Sequence, residues 1–335
     1  MSSLAYGKRA IWISSMLVLG IILLIIVSLV SGPFFVPVRE VIDVLLDDDG
    51  SKSRTVVWDL RFPRALLAVL IGANLAVAGA MMQCLTKNPM AEPKIMGVSA
   101  GGAVAVVIIE YFFAGLPLLF FSPLVFLGAA VGGALVYSLS LKRGTLSPVR
   151  LTLAGVAVSA FLHAITVGIL VLLGQDAAAV YAWLAGGLNG LTWRHLSMIA
   201  PWSLAGLLIS IMIASKMDLL ELGDDAAKGL GVHVGILKTV MAVIIIILAG
   251  SAVSVSGVIG FIGLIIPHIV RKMVGVNYKY IIPVGALCGG MLLLTADLLA
   301  RLVAQPIELP VGVFTAAVGC PYFLYLIRKQ GEWNA

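Results

Sequence analysis

The chain has 335 residues, of which 61% are apolar and only 11% charged, and its mean hydropathy of +1.11 lies far above that of a water-soluble domain. It reads as an integral membrane protein: each helical span takes roughly 20 apolar residues, so the length holds about ten spans and leaves no room for a soluble domain. The net charge of +6 is accounted for by topology and anionic lipid, with no nucleic acid required.

The predicted fold class is all-α: a polytopic bundle making one transmembrane domain over residues 1–335. In chain order, spans are expected near 11–31, 64–84, 95–113, 123–141, 151–173, 193–214, 237–256, 258–273, 280–300 and 308–327. The first follows Lys8 and Arg9 with no small-residue cleavage site behind it, so it reads as an uncleaved span. The eighth, "GVIGFIGLIIPHIV", is short and carries Gly and Pro, which points to a broken or re-entrant helix. With the N-terminus inside, one face collects most of the basic residues, among them Lys8, Arg9, Lys87, Lys94, Lys216, Lys238, Arg271 and Arg328. Both termini are therefore expected in the cytoplasm.

Three arginines run against that bias. Arg61 and Arg64 open "RFPRALLAVLIGANLAVAG" at the outer mouth of span two, and Arg301 closes span nine. One reading is interfacial snorkelling or local pairing, since Asp297 precedes Arg301 by four residues and Asp59 stands near the other two. The other is a set of planar cations that receives carboxylates from an external partner.

Within span two, Gly72, Ala76, Gly79 and Gln83 recur at helical spacing, which lets another helix approach closely and gives Asn74 a place inside a bundle or along a path. The following "TKNPMAEPKIMGVSAGG", with Asn88, Pro89 and Pro93, interrupts the helix and restarts it. At an offset of 178, "GANLAVAGAMMQCLTKNP" matches "GSAVSVSGVIGFIGLIIP", pairing Gly72 with Gly250, Gly79 with Gly257 and Pro89 with Pro267, with Gly260 in the same stretch. The cadence suggests an inverted repeat and favours a transporter over a membrane enzyme.

Cys84, Cys288 and Cys320 lack paired spacing and read as packing residues. The histidines at 163, 195, 233 and 268 stand singly, which argues against a metal or haem site. His163 reads as satisfied within the bundle and His268 as fixing the irregular backbone of span eight. There is no G-x-x-x-x-G-K-[ST] cradle, so no catalytic residue for ATP hydrolysis is expected. An ion-coupled secondary transporter would call for mid-span carboxylates, of which the chain has almost none. A membrane redox enzyme would call for paired ligating histidines.

The segments "RFPRALLAVLIGANLAVAGAMMQCLTKNPMAEPKIMGVSAG", "SVSGVIGFIGLIIPHIVR" and "DLLARLVAQPIELPVGVFTAAVGCPYFLYLI" resemble, in this order and over nearly the whole chain, the FecCD-type permease subunits of ABC importers for iron siderophores and cobalamin. The resemblance implies the type II importer architecture in a bacterial plasma membrane. It also implies pairing with a second permease chain, identical or related, and a separate extracellular or periplasmic binding protein. Two cytoplasmic ATPase subunits would carry the ATP and Mg, leaving no cofactor on this chain, with iron carried inside the substrate. Ferric siderophore is the favoured cargo, ahead of cobalamin or haem.

Residue by residue, the resemblance casts Arg61, Arg64 and Arg301 as docking points for acidic side chains of the binding protein. The segment "KMDLLELGDDAAKGLGVHVG", residues 216–235, reads by itself as a solvated connector. The resemblance makes it the ATPase coupling loop, centred on Leu222, Gly223, Asp224, Asp225, Ala226, Ala227, Lys228, Gly229, Leu230 and Gly231. The conduit or its packing is then expected around Gly72, Asn74, Ala76, Gly79, Gln83, Asn88, Pro89, Gly257, Gly260 and Pro267.

Overall fold

A computed structural model describes residues 3–32, 34–46, 52–142, 145–303 and 307–331. Helix α1 (Ser3–Val30) is followed by the short α2 (Val38–Leu46) and α3 (Lys52–Arg54), which runs through a π-helical stretch, Thr55–Arg61, into α4 (Phe62–Thr86). A 3-10 turn, Pro93–Met96, leads to α5 (Val98–Phe112) and α6 (Leu118–Ser140). A two-residue antiparallel pair, β1 (Leu141–Lys142) with β2 (Thr145–Leu146), joins α6 to α7 (Pro148–Leu173). Then come α8 (Ala178–Leu184), α9 (Trp193–Glu221), α10 (Asp224–Gly229), α11 (Val234–Ser256), α12 (Ile262–Val274), α13 (Tyr278–Leu302) and α14 (Val311–Gly331).

Each of the ten predicted spans coincides with a helix, namely α1, α4, α5, α6, α7, α9, α11, α12, α13 and α14. Among the described residues, seven helical segments are long and apolar enough to cross a membrane by themselves. The short ones are informative. The 15 residues of α5 and 13 of α12 span about 22 and 20 Å, less than the ~30 Å hydrocarbon core. Each follows an interruption buried in protein, where irregular backbone is tolerated: Ala91, Pro93 and Met96 before α5, and Gly257 and Ile259 before α12. The expected break in the eighth span is thus a real one. Gly257 makes it possible, with φ +67° and a position where a Cβ would lie 2.0 Å from the Trp183 carbonyl oxygen.

The central helix is α4. Its most apolar stretch is 83% buried, against 17% for the corresponding stretches of α1 and of the α7–α8 segment, so α4 is core and the other two present their apolar faces outward. Apolar burial gives helices little reason to associate in lipid, so close packing and internal hydrogen bonds must hold them. Gly72 abuts the Gly289–Gly290 backbone of α13, and Gly79 abuts Gly263 of α12. Asn74, fully buried, donates to Ser203 Oγ of α9 at 2.7 Å and Ser251 Oγ of α11 at 3.2 Å.

The offset repeat is corrected by the structure. Gly79 lies inside α4, whereas its match Gly257 is the residue that ends α11; Pro89 lies in a loop, whereas Pro267 is inside α12. The residue matches at that offset thus fail, although each stretch leads from a long helix through an interruption to a short helix, α4 to α5 and α11 to α12. One histidine expectation changes, as His163 is exposed on α7 rather than bonded inside the bundle; His268 buries Nε2 without a hydrogen-bond partner among the described residues and packs its ring edge-on against Tyr322 at 6.0 Å. Of the cysteines, Cys84 and Cys288 are buried as packing residues and Cys320 is exposed.

Candidate functional site

At one end of the bundle, the C-terminus of α1, the N-terminus of α4, the C-terminus of α13 and the start of α14 converge. Pro63 at the start of α4 suits a first helical turn, and the preceding π-helical stretch carries Arg61 toward α1. Arg61 Nη1 donates to the carbonyl of Leu29 at 2.6 Å and of Val30 at 3.3 Å, and Nη2 donates to the Phe34 carbonyl. Its cation thus caps the last carbonyls of α1, where the helix dipole is negative, sharing the Val30 carbonyl with the backbone N–H of Val36.

Arg64 grips Asp297 through Nη2 at 2.7 Å and Nε at 3.0 Å, and Glu308 through Nη1 at 2.7 Å. Asp297, with no exposed surface, also faces Arg301, whose Nε lies 3.3 Å from Oδ2 at an ion-pair distance with poor hydrogen-bond geometry. Arg301 Nη2 in turn donates to Ser28 Oγ of α1. The three predicted arginines are therefore brought together, buried and paired rather than standing as free cations. Asp59 is exposed, and Asp297 and Glu308 take its expected place. The i, i+4 spacing made Asp297–Arg301 legible; Glu308, 244 residues from Arg64, had no local signal. Trp58, Phe62 and Trp193 cluster at this end with ring centroids 5.2–5.5 Å apart, as interfacial aromatics do. Exposed cations at this end include Arg39, Lys52 and Arg194.

At the opposite end, α9 runs two turns past its predicted end, to Glu221. Gly223, with φ +112°, turns the chain into α10, and Gly231, with φ +82°, turns it out again. Leu222, Asp225, Ala226, Lys228, Gly229, Leu230 and Gly231 are exposed, and Ala227 is buried as the contact with the bundle. Asp224 anchors the segment, accepting from Lys238 of α11 and lying 3.4 Å from Lys87 beyond α4. Burial pushes the Asp224 carboxyl up, but Lys238 and then Lys87 outweigh it and hold its pKa below the ordinary 3.8.

A depressed carboxylate contributes stability that is complete above its unfolded pKa and lost only as pH falls through the folded value. Protection of the α10 amides, corrected for intrinsic exchange, is therefore expected to stay constant from about pH 7 to about pH 5. Asp224→Asn is expected to lower it severalfold at neutral pH, as read by hydrogen exchange.

Between the two ends, Gly72, Asn74, Ala76, Gly79 and Gln83 are all buried within the bundle, so this part of the set is packing. Asn88 and Pro89 lie in the loop after α4. Glu92, 7% exposed, accepts from the backbone N–H of Phe261 at 2.5 Å and pairs with Lys94 at 2.8 Å. Phe261 precedes α12 with φ +69°, a conformation rare for a side chain of its size, and Glu92 braces it there. Glu92 and Phe261 thus join the two helix interruptions, beside Gly260 and the start of the helix that contains Pro267.

This arrangement defines a helical membrane transport subunit, with a charged, aromatic-rimmed end, a short exposed helix at the other end, and two interrupted spans between them. The FecCD transport family model matches residues 20–329, and the chain belongs to that family. A Fe(3+)-citrate import system permease protein of Bacillus subtilis is 42% identical, covering 94% of this chain and 96% of the relative. An iron(3+)-hydroxamate import system permease protein of the same organism is 41% identical over 98% of this chain and 85% of the relative. A hemin transport system permease protein of Yersinia pestis is 37% identical over 94% and 96%. A solved inward-facing metal-chelate type ABC transporter superimposes with a TM-score of 0.83 at 28% identity, covering 95% of this chain and 99% of the other.

Proposed function

We propose that this chain is the membrane-spanning subunit of an ATP-driven importer that carries a ferric siderophore into the bacterial cytoplasm. The single observation that carries the reading is family membership over residues 20–329, alongside close relatives named for ferric citrate and ferric hydroxamate import. The chain works with a second permease chain, identical or related, two cytoplasmic ATPase subunits that hold ATP and Mg, and an external binding protein. Both termini lie in the cytoplasm, as the distribution of basic residues supports.

The ATPase contact is α10 with its flanking turns, residues 222–231, whose exposed face and tethered Asp224 suit a helix that sits in a partner's groove. The binding protein docks at the arginine end. Of the three arginines, Arg64 is the one open to exchange: Glu308, which holds its Nη1, has a side chain 27% exposed, so an incoming carboxylate can take its place. Arg61 and Arg301 brace the platform by holding α1. The conduit runs beside the interruptions at Asn88–Pro89 and Gly257–Gly260, where backbone need not be helical because it is packed against protein or lines a path.

Uptake of radiolabelled iron as a panel of ferric chelates, in cells with the gene deleted and then restored, tests the reading. Loss of one chelate class on deletion and its recovery on restoration is expected. Undiminished iron uptake across the panel, with hemin uptake lost instead, would discard the siderophore.

A further inference from the structure

A continuous set of hydrogen bonds links the root of α10 to the interrupted start of α12. It begins at the end of α9, two residues before Gly223, where Glu221 Oε1 accepts from the hydroxyl of Tyr278 at 2.9 Å. Tyr278 is the first residue of α13 and is 1% exposed, and its backbone N–H donates to Asp218 of α9 at 2.6 Å. The same hydroxyl accepts from Arg271 Nη2 of α12 at 3.2 Å, and Arg271 Nη1 donates to Gln83 Oε1 of α4 at 2.5 Å. Gln83 Nε2 then donates to the carbonyls of Gly263 and Leu264, at 3.3 and 3.4 Å. Those two carbonyls belong to the first turn of α12, directly after the Phe261 that Glu92 braces.

Four helices thus share one polar chain, buried at Tyr278 and Gln83, half-buried at Arg271 and exposed at Glu221, whose ends are the segment proposed to meet the ATPase and the helix break proposed to border the conduit. Buried polar groups in apolar surroundings are costly to leave unpaired, so the Tyr278 hydroxyl and the Gln83 amide tie their partners to move with them or to exchange with them. Tyr278 is its hub: the hydroxyl has one proton to give and spends it on Glu221, leaving its lone pairs for Arg271. Apolar packing alone would hold α9 against α13 without this directional link.

We propose that the Tyr278 hydroxyl, with Glu221, Arg271 and Gln83, transmits displacement of α10 to the first turn of α12, making Tyr278 a positioning residue for translocation. The inference rests on α10 being the ATPase contact. It goes further in assigning the internal route to named side chains between the two proposed contact regions.

The test uses the full importer with its ATPase and binding protein in proteoliposomes, and reads substrate transported per ATP hydrolysed. Tyr278→Phe keeps the ring and removes only the hydroxyl. It is expected to retain binding-protein-stimulated ATPase within about twofold while transport per ATP falls about tenfold or more, corresponding to about 1.4 kcal/mol of lost coupling. Glu221→Gln, whose amide oxygen still accepts from the hydroxyl, is expected to stay near wild type, and Glu221→Leu to behave as Tyr278→Phe. Gln83→Met cuts the chain at its far end and is expected to uncouple in the same way.

A wild-type transport-to-ATP ratio in assembled Tyr278→Phe or Gln83→Met overturns the proposal. Failure of both variants to assemble with the ATPase also overturns it, because the chain would then only hold the fold. Absence of ATP-driven uptake by the wild-type complex would instead strike the importer reading itself.

Discussion

Gly79→Ala is expected to cost about 3 kcal/mol of stability, the upper end of what overpacking usually exacts, and to deplete the protein from the membrane. The reason is what the new methyl would meet. Its carbon would lie 2.0 Å from the Gly263 carbonyl oxygen and 2.3 Å from the Gly263 Cα. Backbone atoms cannot rotate aside as a side chain would, so α4 and α12 must separate, and α12 begins at a break already fixed by Glu92 and Phe261. Gln83 reaches the same Gly263 carbonyl, so separation also strains that hydrogen bond.

The comparison is Gly168→Ala in α7, where nothing lies within 4 Å of the added carbon. There the change is expected to be neutral or to stabilise by up to ~1 kcal/mol, because alanine gives up less backbone freedom in a helix than glycine. Thermal unfolding of the two detergent-solubilised variants separates the cases. Equal stabilities would mean that the α4–α12 approach is looser than the structure has it.

Gly79 also shows what a sequence can say and where it stops. The small residues at helical spacing identified α4 as a helix approached closely by others, because the missing side chain is itself the signal. The partners were not legible: Gly289 and Gly263 are distant in the chain, and pairing between distant helices leaves no local pattern. The long spans were legible for the same physical reason that they exist, since hydrocarbon leaves backbone polar groups to be satisfied within the helix; α5 and α12, too short to cross alone, were legible as apolar runs beside Gly and Pro breaks.

The segment that carries α10 was singled out in the sequence, but Gly223 as its entry turn and the extension of α9 to Glu221 were not. Asp218 and Glu221 read as part of a solvated connector, and only in three dimensions do they meet the backbone N–H and the hydroxyl of Tyr278. The glycine matches at the 178-residue offset failed because glycine serves several local purposes: Gly79 permits helix contact, and Gly257 permits a positive φ.

The arginine end carries the second large prediction. Asp297 is fully buried between Arg64 and Arg301, so removing its charge leaves two cations close together with only Glu308, on Arg64, to compensate them. Breaking a buried ion pair by deleting one partner costs about 3–5 kcal/mol, chiefly because the remaining charge is uncompensated. Asp297→Ala is expected to fall in that range. Asp297→Asn, which preserves shape and one acceptor oxygen, should come in at its lower edge.

The sharper consequence is non-additive. Adding Arg301→Met to Asp297→Asn removes one of the stranded cations, so the double variant is expected to be more stable than Asp297→Asn alone by about 1–3 kcal/mol, within the range of coupling between residues in contact. Thermal or denaturant unfolding of the four members of this cycle gives the coupling directly. Strict additivity would show that Arg301 is held by Ser28 and its packing alone, and that Asp297 serves Arg64. A positive coupling would instead make the acid the common seat of both arginines, with Glu308 the only carboxylate of the cluster that a docking partner can displace without breaking the end of the bundle.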